Sequence, residues 1–181
     1  MTTHSTYAPS LATDTSTETA SKSASALLSK LVRTERDPAA TLARVSLGVI
    51  LFPHGAQHAL GWFGGYGFSG TLGWMTGTLG FPAPLAALGI VTELVAPLLM
   101  IVGFGGRATA LMLAGFMAFA ASTHLQNGFF MNWFGGMPSG AEGFEYHLLA
   151  VALAAVVAIK GMGSYSLDRV LFRKRSTSAA S

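Results

Sequence analysis

The sequence lacks cysteine and carries little charge. Without cysteine the chain has no disulfide bond, thiolate metal site or cysteine-ligated iron–sulfur cluster, and its redox compartment stays undetermined. Charged residues make up 10% of the 181 residues and apolar residues 51%, whereas soluble domains carry about 25% charged residues. This composition indicates a membrane protein whose main partner is the lipid bilayer. The net charge of +3 does not indicate nucleic-acid binding, because the basic residues are not gathered on one folded surface.

Four apolar segments dominate the middle of the chain. Each approaches the roughly 20 residues that a helix needs to cross a hydrocarbon core of about 30 Å. The segments are residues 43–60, 84–104, 108–125 and 144–162. They predict an all-α fold for residues 42–171, an integral membrane four-helix bundle that runs up-down-up-down. The fourth segment is the weakest, because its uninterrupted apolar stretch is short.

The two ends of the chain are polar. Residues 1–25 are rich in Ser, Thr and Ala and predict a disordered cytoplasmic tail. Residues 26–41 mix leucines with basic residues, which fits an amphipathic helix at the membrane interface and a solvated linker equally well. Residues 172–181 predict a second, basic and disordered cytoplasmic tail.

Every Lys and Arg lies on one side of the four segments. These residues lie before or at the start of the first segment, at or beyond the end of the fourth, or at Arg107 in the turn between the second and the third. The two remaining loops, residues 61–83 and 126–143, contain neither Lys nor Arg. The positive-inside rule therefore predicts that both termini are cytoplasmic and that these two loops are periplasmic.

Both predicted periplasmic loops are rich in Gly and aromatic residues, and each contains the string Trp-Phe-Gly-Gly. The copies begin at Trp62 and Trp133, and each follows a helix that starts at an Arg and carries a His near its outer end. This suggests a duplicated two-helix hairpin. Tryptophan favours the membrane interface, and glycine permits tight backbone turns. We therefore expect the loops to fold back over the outer end of the bundle and partly cover it.

Several polar side chains lie inside the predicted spans, where ionisable groups are costly and usually functional. At a rise of about 1.5 Å per residue, the ionisable groups lie about 15–25 Å above the cytoplasmic ends of their helices, in the outer half of the membrane. We call this set the polar layer, and it consists of His54, Gln57, His58, Glu93, His124, Glu145 and His147. The predicted catalytic residues are Glu93, His54 and His58. The other members, together with Trp62 and Trp133, are predicted to bind a ligand.

Glu93 lies near mid-membrane, about 16 Å above the cytoplasmic end of its helix. An unpaired carboxylate at that depth costs at least about 2.5 kcal/mol. We therefore expect Glu93 to face the interior, within hydrogen-bonding reach of His54, His58 or an intervening water, in a pair that holds one mobile proton. Pro97, four residues later, removes a helical hydrogen bond and frees the Glu93 carbonyl to accept a bond at the same place.

The chemistry of the polar layer is open to three interpretations. In the first, the outermost groups are simply hydrated side chains at the membrane interface. In the second, a metal or haem is bound by His54, His58, Glu93 and His124, although no Glu-x-x-His pair is present. In the third, the layer is a proton-handling pocket for an amphipathic redox molecule such as a quinone. No nicotinamide or flavin pocket is predicted, because the Gly-rich runs do not join a strand to a helix.

The same residues resemble the DoxX family of small four-helix bacterial membrane proteins. The resemblance covers about residues 42–171 and includes Glu93. The matching strings are Arg-Val-Ser-Leu-Gly-Val-Ile-Leu-Phe-Pro-His-Gly from Arg44, Gly-Trp-Phe-Gly-Gly from Gly61, Gly-Gly-Arg from Gly105, His-Leu-Gln-Asn-Gly-Phe-Phe from His124, Gly-Phe-Glu-Tyr-His-Leu-Leu from Gly143 and Gly-Ser-Tyr-Ser-Leu-Asp from Gly163.

The resemblance implies a multi-pass protein of the bacterial inner membrane that acts in redox metabolism. The family name is tied to the membrane subunit of a thiosulfate:quinone oxidoreductase, and other members are associated with redox defence or with maturation of redox enzymes. It favours a quinone-linked subunit that works with redox partner proteins. The alternatives are a non-catalytic scaffold or assembly chaperone for membrane redox proteins, and a metal- or haem-binding protein. Whether the chain is itself an enzyme, and whether it forms an oligomer, stay open.

Overall fold

The computed structural model describes residues 14–32, 34, 36–133, 135–136, 138 and 141–178. The α-helices among them are α1 (Asp14–Val32), α2 (Pro38–Leu60), α3 (Gly67–Gly77), α4 (Ala83–Val102), α5 (Gly106–His124), α6 (Glu145–Lys160) and α7 (Leu167–Ser178). Short 3-10 turns follow α2 and α5, at Trp62–Gly64 and Leu125–Asn127. The described part of the chain contains no strand, so the all-α class is confirmed.

Three helices within the described ranges are long and apolar enough to cross a membrane: α2, α4, and α5 with its following turn. They match the first three predicted segments closely. α2 starts at Pro38 rather than residue 43, because Asp37 caps it and the proline suits the first turn. Asp37 Oδ1 accepts from the N–H groups of Ala39 (2.9 Å) and Ala40 (3.1 Å). α6, at the fourth predicted segment, has 16 residues and is shorter than a typical span.

Helices α2, α4, α5 and α6 pack side by side around one core. α2 contacts α4 and α6, and α5 contacts the same two helices. The core consists of small and aliphatic side chains: Ala43, Leu47, Leu51, Ala96, Met100, Ala110, Leu113, Met117, Ala150, Ala154, Val157 and Met162. Small residues allow close helix contact where lipid supplies no hydrophobic drive. Although α6 is short, it contributes to this core alongside the three longer helices.

Two glycines on α2 bring its backbone against α4. A Cβ atom at Gly48 would lie 2.7 Å from the Pro97 carbonyl oxygen, and one at Gly55 would overlap the Glu93 carbonyl. Neither position can accept a larger residue without separating the helices. The Glu93 carbonyl that Pro97 frees therefore lies against the α2 backbone. The sequence predicts that this carbonyl opens into the polar layer. In the structure it does not, because the glycine contact draws the two helices together there.

α3 forms in the first loop, between α2 and α4, and packs against both of them. It contains four glycines, each of which disfavours a helix by about 1 kcal/mol relative to alanine, so local sequence predicts a loop here. Just before it, a Cβ at Gly65 would overlap the backbone of Gln57, so the loop lies directly on the end of α2. In the second loop, the Trp-Phe-Gly-Gly copy includes residue 134, which lies outside the described residues.

Helices α1 and α7 occupy much of the two stretches for which disorder is predicted. α1 is stabilised by an ion pair four residues apart, in which Lys22 Nζ lies 2.6 Å from Glu18 Oε1. Its end is attached to α5, because Arg107 Nη1 donates to the Lys30 carbonyl over 2.7 Å. The prediction of disorder rests on composition, which does not reveal such contacts within a helix or between helices. The remaining parts of the predicted tails, residues 1–13 and 179–181, lie outside the described residues.

Arg44, near the start of α2, is 2% exposed and joins three segments of the chain. Its guanidinium donates to five main-chain carbonyls: Nη1 to Met100 (2.8 Å) and Ile101 (2.7 Å), Nε to Met162 (2.6 Å), and Nη2 to Ser164 (3.2 Å) and Tyr165 (2.9 Å). It therefore ties α2 to the end of α4 and to the connection between α6 and α7. The sequence assigns Arg44 only a role in membrane sidedness.

Asp168 on α7 lies close enough to Arg44 for an electrostatic interaction and is fully buried. Its Oδ1 accepts from the Gly105 N–H (3.0 Å), while its own N–H donates to the Gly103 carbonyl (3.1 Å). Burial raises the pKa of Asp168 above its usual range, against the opposing effects of the Gly105 and Gly106 N–H groups and of Arg44. The two buried groups compensate part of each other's charge, which makes their burial tolerable.

Candidate functional site

Glu93 on α4 is paired with His58 on α2. His58 Nδ1 lies 2.5 Å from Glu93 Oε2, and Glu93 is 8% exposed. The pairing follows from the contact line of α2 on α4, which runs through Gly48, Gly55 and, one turn later, His58. Glu93 therefore lies where the sequence predicts, inside the bundle and within hydrogen-bonding distance of an imidazole.

His54, the other imidazole predicted as a possible partner of Glu93, lies elsewhere. It is exposed and does not join the Glu93 pair, although it lies four residues before His58. Its ring faces α6 instead, with its centroid 6.0 Å from that of Tyr146. Residues four apart differ by about 40° in helical phase. That difference places His54 further than His58 from the line where Gly55 contacts α4, and on the side that faces α6.

His124 on α5 and His147 on α6 form a second contact within the polar layer. Their ring centroids are 4.7 Å apart. His124 Nδ1 lies 2.9 Å from the Glu142 carbonyl oxygen, which can only accept, so Nδ1 carries the proton. The Nε2 of a neutral His124 is therefore left as an acceptor. A hydrogen bond of this kind determines which imidazole nitrogen is available for chemistry.

Two buried polar atoms in this region, the Tyr146 hydroxyl and His147 Nδ1, have no hydrogen-bond partner among the residues that the structure describes. Both residues lie close enough to Glu93 for an electrostatic interaction. A buried polar group without a partner costs about 1–3 kcal/mol. Two such groups side by side on α6 indicate a place where water or a polar ligand group would bind.

Tyr146 is the residue that the sequence reasoning missed. Its position favours the interpretation of an aromatic side chain at the membrane interface. The signal that could have identified it is the triplet Glu145-Tyr146-His147, in which a tyrosine separates two polar-layer residues. Since neighbouring helical residues point about 100° apart, at least one of the three must face the bundle.

The remaining predicted ligand-binding residues lie at the rim of the bundle next to the loops and contact them. Glu145 Oε1 accepts from Trp133 Nε1 (2.6 Å) and from the Met131 N–H (3.2 Å). Gln57 donates to a loop carbonyl at a long 3.4 Å. Trp62 is 52% exposed and packs edge-on against the Phe52 ring of α2. In the structure these side chains hold the loops and do not converge on the Glu93–His58 pair.

The arrangement does not assemble the four-residue metal site that the sequence offers as an alternative. Among the described residues, no three His, Cys, Asp or Glu side chains converge in a way that could hold a metal ion. The four residues predicted as metal ligands lie apart from one another, except that Glu93 contacts His58. His54 faces Tyr146, and the His124 ring packs on that of His147. The polar layer therefore offers acid–base groups and hydrogen-bond donors rather than a ligand cage.

The DoxX family model matches residues 39–133, more than half of the chain. The chain belongs to the DoxX family. The match covers the whole of α3, α4 and α5 and nearly all of α2, and so includes the Glu93–His58 pair. α6, with Tyr146 and His147, lies beyond the matched residues of this DoxX chain. The comparisons with curated proteins and with solved structures found no match to the chain. Family membership and the three apolar helices together indicate a membrane protein.

Proposed function

We propose that this DoxX protein acts in redox metabolism in the bacterial inner membrane, where its polar layer binds a quinone-class molecule and exchanges protons with it. The observation that carries the proposal is the buried Glu93 carboxyl in contact with His58. A carboxyl and an imidazole together can hold one proton in either of two ways, and both arrangements are neutral overall. Such a pair can take up or release a proton in an apolar setting, which is the task of a general acid or base.

A bound quinone would supply electron acceptance coupled to proton uptake. The fit of the site to such a molecule rests on the two unpartnered atoms on α6. The Tyr146 hydroxyl is a donor suited to a carbonyl oxygen, while His147 Nδ1 can accept or donate according to its tautomer. Glu93 and His58 then hold the exchangeable proton nearby. Water in the same place is the competing occupant.

Quinone binding should depend on the Tyr146 hydroxyl. We expect Tyr146→Phe to weaken binding of a short-chain ubiquinone analogue by about tenfold, the loss of one buried hydrogen bond. Tyr165→Phe is the matched control, because Tyr165 is 92% exposed and distant in sequence from the polar layer. Binding to the purified protein is measured through quenching of its tryptophan fluorescence. Equal affinities of the two variants, or no saturable binding to the wild-type protein, would refute the proposed ligand.

The orientation is part of the proposal. The one-sided distribution of Lys and Arg supports four spans, with α6 as the fourth, both termini in the cytoplasm and α3 in the periplasm. A reporter fused at Ser69 should therefore report a periplasmic location, and one fused after the last residue a cytoplasmic location. A cytoplasmic signal at Ser69 would reverse the orientation and place the polar layer in the inner half of the membrane.

A scaffold for membrane redox proteins is the second candidate function. It is favoured by the exposed aromatic side chains of the loops, among them Tyr66 (83%), Phe130 (73%) and Trp133 (74%). Exposed aromatic groups at one end of a bundle suit contact with partner proteins. Under this alternative the Glu93–His58 pair only holds α2 to α4, and its proton is not used.

A further inference from the structure

A pocket of about 220 Å³ lies between α3, α4 and α5, on a different side of α4 from the Glu93–His58 pair. Leu85, Leu88 and Thr92 of α4 line one wall, and Met112 and Phe116 of α5 line the other. Met75 of α3 reaches over it, so the pocket exists because α3 folds back onto the bundle.

The lining determines what the pocket can hold. Among the described residues that line it, the only polar side chain is that of Thr92, which is 8% exposed; the others are apolar or glycine. No lining residue is ionisable, so it offers a charged or strongly polar ligand no partner. Apolar cavities of roughly 150 Å³ stay free of water and bind benzene-sized molecules. Pockets for whole drug-sized ligands start near about 300 Å³, so this one suits a single chain or ring.

The pocket opens toward the outer surface of the helices, where lipid is expected. Leu88 is 62% exposed, Leu85 47% and Met112 44%. At its upper edge Phe81 packs on Phe119, with ring centroids 5.1 Å apart. Along α4 the lining residues extend over about 10 Å, from Leu85 to Thr92. An occupant would enter from the bilayer and lie lengthwise along α4.

We propose that this pocket binds one hydrocarbon chain taken from the bilayer, either an acyl chain of a phospholipid or the prenyl chain of a lipid-soluble molecule. The length, the apolar lining and the lateral opening all favour a flexible chain over a compact polar ligand. Thr92 is followed by Glu93. The end of the hydrocarbon chain that reaches Thr92 therefore lies one residue from the polar layer. The proposal stands whether or not Glu93 exchanges protons.

Gly89 provides the means to close the pocket. A Cβ there would lie 3.3 Å from Phe116 Cε2 and 3.9 Å from Met75 Cε, both mobile ends of side chains. Gly89→Leu should fill the space without disturbing the backbone. Gly115→Leu is the matched control, because Gly115 is an exposed helical glycine of α5 with no neighbour within 4 Å of its Cβ position.

The test uses the full chain in lipid nanodiscs with two photoreactive probes, a phosphatidylcholine and a farnesol that each carry a diazirine in the chain. After illumination, labelled peptides are located by mass spectrometry. We expect labelling of the wild-type protein to concentrate on Met75, Met112 and Phe116. It should fall about tenfold in Gly89→Leu, as several methylene groups of the chain are displaced, and stay unchanged in Gly115→Leu. Labelling by only one probe would identify the source of the chain.

Labelling spread evenly over the lipid-facing surfaces of α4 and α5, or the same labelling in both leucine variants, would overturn the proposal. Should Gly89→Leu not fold, competition in the wild-type protein replaces it. An excess of unlabelled phosphatidylcholine or farnesol must then reduce labelling at the pocket and not at Leu111, which is 58% exposed on α5. Uniform reduction at both places would equally refute a specific site.

Discussion

Replacing Glu93 with glutamine is expected to leave the fold intact and to slow proton exchange by about 100-fold, the lower end of a general acid–base contribution. The amide oxygen can still accept a hydrogen bond from His58, so α2 and α4 stay attached. The amide cannot take up or release a proton at neutral pH, and this removes the function that the Glu93–His58 pair is proposed to serve.

The measurement is the rate of proton uptake by the purified protein while a bound ubiquinone analogue is reduced electrochemically, followed with a pH-sensitive dye. Glu145→Gln is the control, because Glu145 is another polar-layer carboxyl but binds Trp133 at the rim. We expect Glu145→Gln to retain wild-type rates. Thermal unfolding should show that both variants fold.

Wild-type proton uptake in a folded Glu93→Gln protein would contradict the proton-carrier role. It would favour the scaffold alternative, in which the hydrogen bond alone matters. This result is distinct from a failure of quinone binding, which the comparison of Tyr146→Phe with Tyr165→Phe tests separately.

Replacing Arg44 with lysine is expected to destabilise the protein by about 2 kcal/mol or more. Lysine retains the charge but has three N–H donors on one atom, whereas Arg44 donates five hydrogen bonds to carbonyls in different directions. At least two of the five carbonyls, which are buried or partly buried, lose their donor, and each loss costs about 1–3 kcal/mol.

The destabilisation can be measured as a lower midpoint of thermal or detergent-induced unfolding. Arg107→Lys is the matched control: Arg107 also donates to main-chain carbonyls, those of Lys30 and Ile159, but at an exposed position. Both changes preserve the charge that sets membrane sidedness. Equal stabilities of the two variants would show that the hydrogen bonds of Arg44 do not hold α2 to the end of α4 and to the connection between α6 and α7.

The sequence by itself determined the fold class and the positions of the apolar helices. Hydropathy over about 20 residues is a local property, so the helices that the structure describes as α2, α4 and α5 could be located without tertiary information. The depth of a residue in its helix is also local. It was enough to predict that Glu93 would need a partner, and the structure places an imidazole against it.

Only the tertiary structure decided which side chains meet, and the reason is helix rotation. Gly55 draws α2 against the backbone of α4, so His58 reaches Glu93 while His54 turns toward Tyr146. α3 forms despite its glycines because packing on α2 and α4 outweighs local preference. The sequence indicated only a role in membrane sidedness for Arg44. Its hydrogen-bond acceptors could not be predicted, because they are carbonyls far along the chain. A contact between distant segments depends on how each helix is turned and how closely it approaches, and neither quantity is encoded in local composition.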